Sequence, residues 1–184
     1  PPISSGTSGG FIGGWSMATA VPSGFNASHG ANVMAIQGAP LALSQQPSPK
    51  PKYLWLAPGG TGGASIALPE SMPDGYNGIV YDLEGGLTYK LALQNAQTLK
   101  SNYGHRVTTV LCPPGLPYTP GANAKNSAFD YCAPMLYWSL GSYSASAGQS
   151  IQDVKTAVDA WISNWGANRI ILTYQSRALS ANDP

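Results

Sequence analysis

Charged side chains are scarce in this chain of 184 residues, since only 9% of them are Asp, Glu, Lys or Arg, against about 25% in a typical soluble domain. Lys and Arg number 9 and Asp and Glu 8, and no basic cluster occurs, which excludes the electrostatic footprint of a nucleic-acid-binding protein. No apolar run reaches the roughly 18 residues that a membrane-spanning helix needs. We therefore expect neither nucleic acid nor a membrane as a partner.

Cysteine and histidine are also rare. Cys112 and Cys132 allow at most one disulfide and are too few for a four-cysteine zinc site. They could form a disulfide or remain two small buried thiols, and the sequence leaves both alternatives open. His29 and His105 lie far apart, which disfavours a histidine-rich metal site and a Ser-His-Asp triad. We expect no metal and no cofactor.

The remaining composition is that of a folded, secreted domain. Hydrophobic residues make up 43% of the chain and aromatic residues 10%, which excludes intrinsic disorder. Low charge, many small polar residues and the glycosylation triplet Asn26-Ala27-Ser28 favour secretion. The first ten residues have neither Met nor an apolar signal core, so we expect a mature chain from which any targeting segment has been removed. The length predicts a single domain over residues 1–184.

Short apolar runs bounded by Gly or Pro recur along the chain and predict strands. Several are apolar on both faces, which is typical of a parallel sheet that is covered on both sides. The predicted strands cover residues 11–17, 31–37, 53–57, 78–83, 106–111, 131–138 and 169–174.

Two longer segments, residues 88–103 and 150–165, predict helices that end at Gly104 and Gly166. In the second half, strands and helices alternate, which predicts an α/β fold, either a βα barrel or a doubly wound sheet. The first half has strands but few helices. The apolar stripes that define the two helices are Leu91, Leu93, Ala96 and Leu99 in the first and Ile151, Val154, Val158, Trp161 and Ile162 in the second.

Two acids, Asp82 and Glu84, follow a buried strand directly. Residues i and i+2 of a strand face the same side, so both carboxylates point one way at the strand's carboxyl end, where α/β proteins build their active sites. Two carboxylates held close cannot easily both ionise, which raises the pKa of one of them and suits it to general acid catalysis. The alternative is a pair of polar strand-end residues bonded to loop backbone. The other acids fall in predicted helices or loops as solvated charges: Glu70, Asp74, Asp130, Asp153, Asp159 and Asp183.

The segment N-G-I-V-Y-D-L-E at residues 77–84 resembles the fourth-strand pattern D-x-x-D-x-D-x-E of family 18 glycoside hydrolases, the chitinase and endo-β-N-acetylglucosaminidase group. Asp82 matches the last Asp and Glu84 the catalytic Glu, whereas Asn77 and Val80 replace the other two acids. Further segments resemble the family in the same order, and residues 161–172 are similar to hevamine-like plant chitinases. These segments are 57–60 for S-x-G-G, 110–114 for the fifth-strand end and 135–137 for the sixth-strand M-x-Y.

The resemblance implies a (β/α)8-type TIM barrel. A barrel of this type normally has about 250 residues, and this chain ends soon after the seventh predicted strand, so we expect a reduced or incomplete barrel with few helices in its first half. The implied activity is retaining, substrate-assisted hydrolysis of β-1,4 N-acetylglucosamine linkages, in chitin oligosaccharides or N-glycan cores, by a monomer without a cofactor. The alternative is a catalytically inactive chitinase-like lectin or defence protein.

The family mechanism implies a role for each matching residue. Glu84 protonates the glycosidic oxygen, Asp82 orients the substrate's 2-acetamido group, and Tyr137 donates a hydrogen bond to the acetamido oxygen. Tyr81 is a further aromatic candidate for stacking on sugar, and core packing is the alternative for every aromatic residue. The predicted substrate-binding residues are Met135, Trp138, Trp15, Trp55 and Tyr174.

Overall fold

A computed structural model of the chain describes residues 13–17, 33–37, 52–56, 68–83, 87–113, 128–135 and 151–171. No helix among these residues is long and apolar enough to cross a membrane. The elements begin within two residues of the predicted segments, which confirms where they start. They are β1 Gly13–Met17, β2 Val33–Gln37, β3 Lys52–Leu56, β4 Gly78–Asp82, α1 Tyr89–Tyr103, β5 Thr108–Cys112, β6 Tyr131–Cys132 and α2 Ile151–Trp165.

The strands form one parallel sheet in the order β1-β2-β3-β4-β5-β6, so every strand pairs with its neighbour in sequence. In the register, Trp55 pairs with Val80 and Asp82 pairs with Cys112. Beyond β6, a parallel bridge joins Cys132 to Ile170, at the start of the seventh predicted strand. The prediction of a mixed α/β fold with a parallel sheet is confirmed.

One face of the sheet packs against both helices, and we call this layer the helix-side core. Alternation along the strands directs Ile79 and Tyr81 of β4 to this face. Burial of each large apolar side chain here contributes about 1.5–3 kcal/mol. The helices supply Ala92, Ala96 and Leu99 of α1 and Ala157, Trp161 and Trp165 of α2, and the neighbouring strands supply Leu54, Leu56 and Leu111.

The other face of the sheet is also buried, and we call it the opposite face. Its described side chains come from the strands and the short segments that follow them, and neither α1 nor α2 contributes to this cluster. The sheet is therefore covered on both sides, as its continuous apolar runs predict. The buried members of the opposite face are Tyr53, Trp55, Val80, Val110, Cys112, Ala133 and Met135.

Helix α1 begins and ends as predicted, but one residue of its predicted apolar stripe is wrong. The Thr88 side chain accepts a hydrogen bond from the Leu91 amide at 3.3 Å, and Gly104 ends the helix with a φ of 58°. Leu91 itself is 47% exposed. The buried residues Ala92, Asn95, Ala96 and Leu99 follow the i, i+3, i+4, i+7 spacing of one helix face.

Gly78 begins the strand that carries the candidate site. A Cβ atom at this position would lie 2.3 Å from the Thr108 carbonyl oxygen and 2.6 Å from the Tyr53 ring. No L-residue with a side chain fits that space without moving β3 or β5. Glycine here therefore lets the Tyr53 ring pack across the start of β4.

The two cysteines lie on different faces of the sheet. Cys112 belongs to the opposite face, whereas Cys132 belongs to the helix-side core. Both are buried as thiols, so the disulfide that the sequence left open is not formed. Desolvation raises the pKa of the Cys132 thiol, which keeps it neutral.

Candidate functional site

Asp82 ends β4 and lies on the opposite face, because it alternates with Tyr81 of the helix-side core. Pairing with β5 continues past it, since the Leu83 amide donates to the Cys112 carbonyl at 2.9 Å. Asp82 is only 4% exposed. A carboxylate is therefore held in a largely dry position at the carboxyl end of a parallel strand, on the face of the sheet opposite α1 and α2.

The Trp55 indole holds this carboxylate from the neighbouring strand. Its Nε1–H donates to Asp82 Oδ2 at 2.9 Å, and both groups are buried. An indole is a donor only, so Asp82 Oδ2 must act as the acceptor. A hydrogen bond between a neutral donor and a carboxylate is stronger in a buried site than in water.

Trp55 was predicted to bind substrate by stacking, and the structure gives it a different contact. The residue is 8% exposed and packs within the opposite face, with its N–H directed at Asp82. Sequence reasoning missed this bond because the two residues are 27 positions apart. The only sequence signal for this hydrogen bond is the alternation of side chains along β3 and β4, which places residues 55, 80 and 82 on one face of the sheet.

Met135 joins Asp82 and Trp55 on the opposite face. It is buried in the same cluster, and its amide donates to the Pro113 carbonyl at 3.1 Å, which continues the pairing beyond β6. Trp15 lies in β1, where it pairs with Ala35 of β2. Four further predicted site residues lie outside the described residues: Glu84, Tyr137, Trp138 and Tyr174.

Tyr81, a candidate for stacking on sugar, lies in the helix-side core, so core packing, the alternative for this aromatic residue, is what the structure shows. Its hydroxyl donates to Asn95 Oδ1 of α1 at 2.7 Å, and its ring meets the Phe129 ring edge-on at 5.7 Å. Desolvation raises the pKa of the Tyr81 hydroxyl. Asn95 in turn donates to the Pro69 carbonyl at 2.8 Å, so the buried polar atoms of this pair are satisfied inside the protein.

Asp130 was predicted to be a solvated charge, and that prediction is wrong. Its Oδ2 accepts from Lys100 Nζ at 2.5 Å, from the Thr109 amide at 2.8 Å and from the Thr109 hydroxyl at 3.2 Å. The Lys100 ammonium also donates to the Val107 carbonyl. These contacts tie the end of α1 to the beginnings of β5 and β6, at the amino end of the sheet.

A second cation stabilises the same amino end. Arg169 donates through Nε to the Asp130 carbonyl at 3.0 Å and through Nη2 to the Phe129 carbonyl at 2.5 Å. Its guanidinium carbon lies 4.9 Å from the centre of the Trp165 ring. Backbone acceptors and a structural ion pair therefore occupy the charged groups here, and nothing in their arrangement suggests a reaction.

No group of three or more His, Cys, Asp or Glu residues that could hold a metal ion occurs in the described part of the chain. Comparisons of the chain with protein-family models, with curated proteins and with solved structures give no match.

Proposed function

We propose that the protein is a retaining glycoside hydrolase that cleaves β-1,4 linkages of N-acetylglucosamine in chitin or N-glycan cores. One observation carries the proposal. The Asp82 carboxylate is buried at the carboxyl end of β4, on the face without described helices, and is held by the Trp55 indole. Parallel α/β proteins assemble their active sites at this end of the sheet.

The sheet topology supports a TIM-type barrel, reduced or incomplete, as the scaffold. Parallel strands in sequential order have right-handed crossovers, which all lie on one side of the sheet. The described helices pack on one face only, yet the opposite face is buried as well. Closing the sheet into a barrel is the arrangement that covers an inner face with the strands' own side chains.

The proposed reaction has two steps. In the first, Glu84 gives its proton to the glycosidic oxygen as the bond from the anomeric carbon to that oxygen breaks. The substrate's acetamido oxygen forms a bond to the same carbon and gives an oxazolinium ion. In the second, Glu84 takes a proton from water, whose oxygen attacks the anomeric carbon and releases the acetamido group, so configuration is retained.

Asp82 acts on the acetamido group in this proposal. Positive charge develops on the acetamido nitrogen as the oxazolinium ion forms, and a nearby carboxylate stabilises that charge. The low exposure of Asp82 strengthens this interaction, because a dry site screens charge less than water does. Tyr137 donates a hydrogen bond to the acetamido oxygen. The protein works in this proposal as a secreted monomer without a cofactor.

A chitinase-like lectin without catalytic activity is the second candidate function. The observation that favours it is Val80, which is apolar and buried on the same face as Asp82, at the position where the family pattern has its middle Asp. A carboxylate that the pattern places beside Asp82 is therefore replaced by a hydrocarbon side chain. Such a site could hold a sugar without cleaving it.

The test is release of a fluorophore from an N-acetylglucosaminyl oligosaccharide by the wild type and by Glu84→Gln. We expect the variant to lose activity by about 10²- to 10⁴-fold, the range for removal of a general acid. Glu70→Gln makes the same chemical change at an exposed position and serves as the matched control. Activity that survives Glu84→Gln would remove this residue from the acid role. Sugar binding by the wild type without turnover would select the lectin.

A further inference from the structure

We infer that Trp55 is a positioning residue that fixes the orientation of the Asp82 carboxylate through its indole N–H. The inference deepens the function proposed above and rests on it, since the carboxylate that Trp55 holds is the one proposed to act on the acetamido group.

The register explains how the two groups meet. Trp55 pairs with Val80, and Asp82 stands two residues further along β4 on the same face. The indole of β3 therefore reaches along the face towards the carboxyl end of the sheet. Its N–H edge contacts Asp82 Oδ2 at 2.9 Å, so the contact is directional rather than a stacking of the ring.

The packing around Trp55 limits the movement of its ring. Trp55 is 8% exposed and packs in the buried cluster of the opposite face, together with Tyr53 and Val80. A buried indole has two side-chain torsions and loses little further freedom when it makes a hydrogen bond. Trp55 is therefore suited to hold a carboxylate in one orientation.

The indole N–H fixes which partner donates and which accepts in this hydrogen bond. A hydroxyl or carboxyl partner can change from donor to acceptor, whereas an indole N–H only donates. The indole therefore keeps Asp82 Oδ2 in the role of acceptor for this contact. The indole neither supplies nor removes a proton, so its contribution is orientation alone.

A first experiment needs no catalytic activity. In ¹H–¹⁵N spectra of the labelled protein, loss of one indole signal in Trp55→Phe assigns the Trp55 N–H. We expect this proton to exchange slowly with water, and Asp82→Asn to shift its resonance more than those of the other indoles, because the acceptor loses its charge. A Trp55 resonance left at its wild-type position by Asp82→Asn would overturn the inference.

A second experiment measures catalysis on the fluorogenic oligosaccharide. We expect Trp55→Phe to lower kcat about tenfold with KM nearly unchanged, as for a group that acts in the transition state. Tyr53→Phe removes a polar atom from an aromatic residue of the same strand and face, and should leave kcat close to that of the wild type. Equal losses in the two variants, or a wild-type kcat in Trp55→Phe, would contradict a positioning role.

The two experiments separate the inference from the proposed function. A wild type without turnover refutes the hydrolase proposal, and the resonance shift then decides by itself whether Trp55 fixes the carboxylate. Turnover by the wild type together with an unshifted resonance refutes the inference and leaves the hydrolase proposal standing.

Discussion

Two aspartates stand at opposite ends of the same sheet, and their surroundings differ. Asp130 lies at the amino end, where its Oδ2 accepts from the Lys100 ammonium and from the amide and hydroxyl of Thr109. Asp82 lies at the carboxyl end, is more deeply buried, and accepts from the neutral Trp55 indole. The acid at the amino end forms an ion pair, and the acid at the carboxyl end accepts a hydrogen bond from an indole.

On the proposed function, the contrast separates a structural role of Asp130 from a functional role of Asp82. In parallel α/β domains, the amino end of the sheet serves stability and the carboxyl end serves binding and catalysis. The ion pair and two further hydrogen bonds hold Asp130 Oδ2 against α1 and β5, inside the fold. We therefore expect substitutions of Asp82 to affect catalysis and substitutions of Asp130 to affect stability.

The largest effect is expected at Asp82. Asp82→Asn keeps the shape of the side chain but removes its charge, so it should lower kcat by about 10²- to 10³-fold, as loss of a group that stabilises transition-state charge does. The matched variant Asp130→Asn should keep a kcat close to that of the wild type. Rates on the fluorogenic oligosaccharide, corrected for the folded fraction, give the comparison. Similar losses of kcat in both variants would contradict the assignment of catalysis to the carboxyl end of the sheet and of stability to the amino end.

The second-largest effect is expected at Asp130, on the stability of the fold. Asp130→Ala leaves the Lys100 ammonium and the Thr109 amide without their carboxylate partner, and should lower the free energy of unfolding by about 2 kcal/mol. This figure is below that for a fully buried pair, since the Asp130 side chain is 32% exposed. Urea denaturation measures the change. A loss of under about 0.5 kcal/mol would mean that the ion pair contributes no more than an ordinary surface pair.

A smaller loss is expected in the helix-side core. Tyr81→Phe removes the hydroxyl that donates to Asn95 Oδ1, which leaves that oxygen buried without its donor and should lower the free energy of unfolding by about 1–2 kcal/mol. Catalysis should stay unchanged because Tyr81 lies on the face away from the site. Tyr103→Phe, on the same helix as Asn95 and only partly buried, provides the control. An altered kcat in Tyr81→Phe would contradict the assignment of faces.

The smallest effect is expected at Leu91. Because this side chain is 47% exposed, Leu91→Ala should change the free energy of unfolding by less than about 0.5 kcal/mol. The same truncation at Leu99, which is fully buried in the helix-side core, should give the larger loss that is usual for a core leucine. Thermal denaturation of the two variants side by side checks the orientation of α1.

The sequence predicted the elements of the described fold well, because their signals are local. Gly78–Asp82 is a continuous buried run between turn residues, and Thr88 and Gly104 mark the ends of α1 by capping chemistry. The predicted buried face of α1 was partly wrong. It included Leu91, which is exposed, and the buried residue is its neighbour Ala92, on an adjacent face of the helix. Only packing against the sheet decides between them.

Contacts between distant residues could not be predicted from the sequence. Asp130 meets a lysine 30 positions earlier, and Asp82 meets an indole 27 positions earlier. The structure brings Met135 and Asp82 to one face of the sheet, but alternation along the strands does not specify which side chains bond there. For Tyr81 the sequence leaves stacking on sugar and core packing open, and alternation along β4 directs it to the core beside the helices.

The most direct measurement of the central claim compares two fluorogenic substrates that differ only at C2 of the sugar. One carries the acetamido group, and the other carries a hydroxyl group. If the carboxylate at the end of β4 acts on the acetamido group, the wild type should cleave only the first substrate, and Asp82→Asn should lose that activity. Equal cleavage of both substrates by the wild type, or undiminished cleavage of the first by Asp82→Asn, would contradict the account.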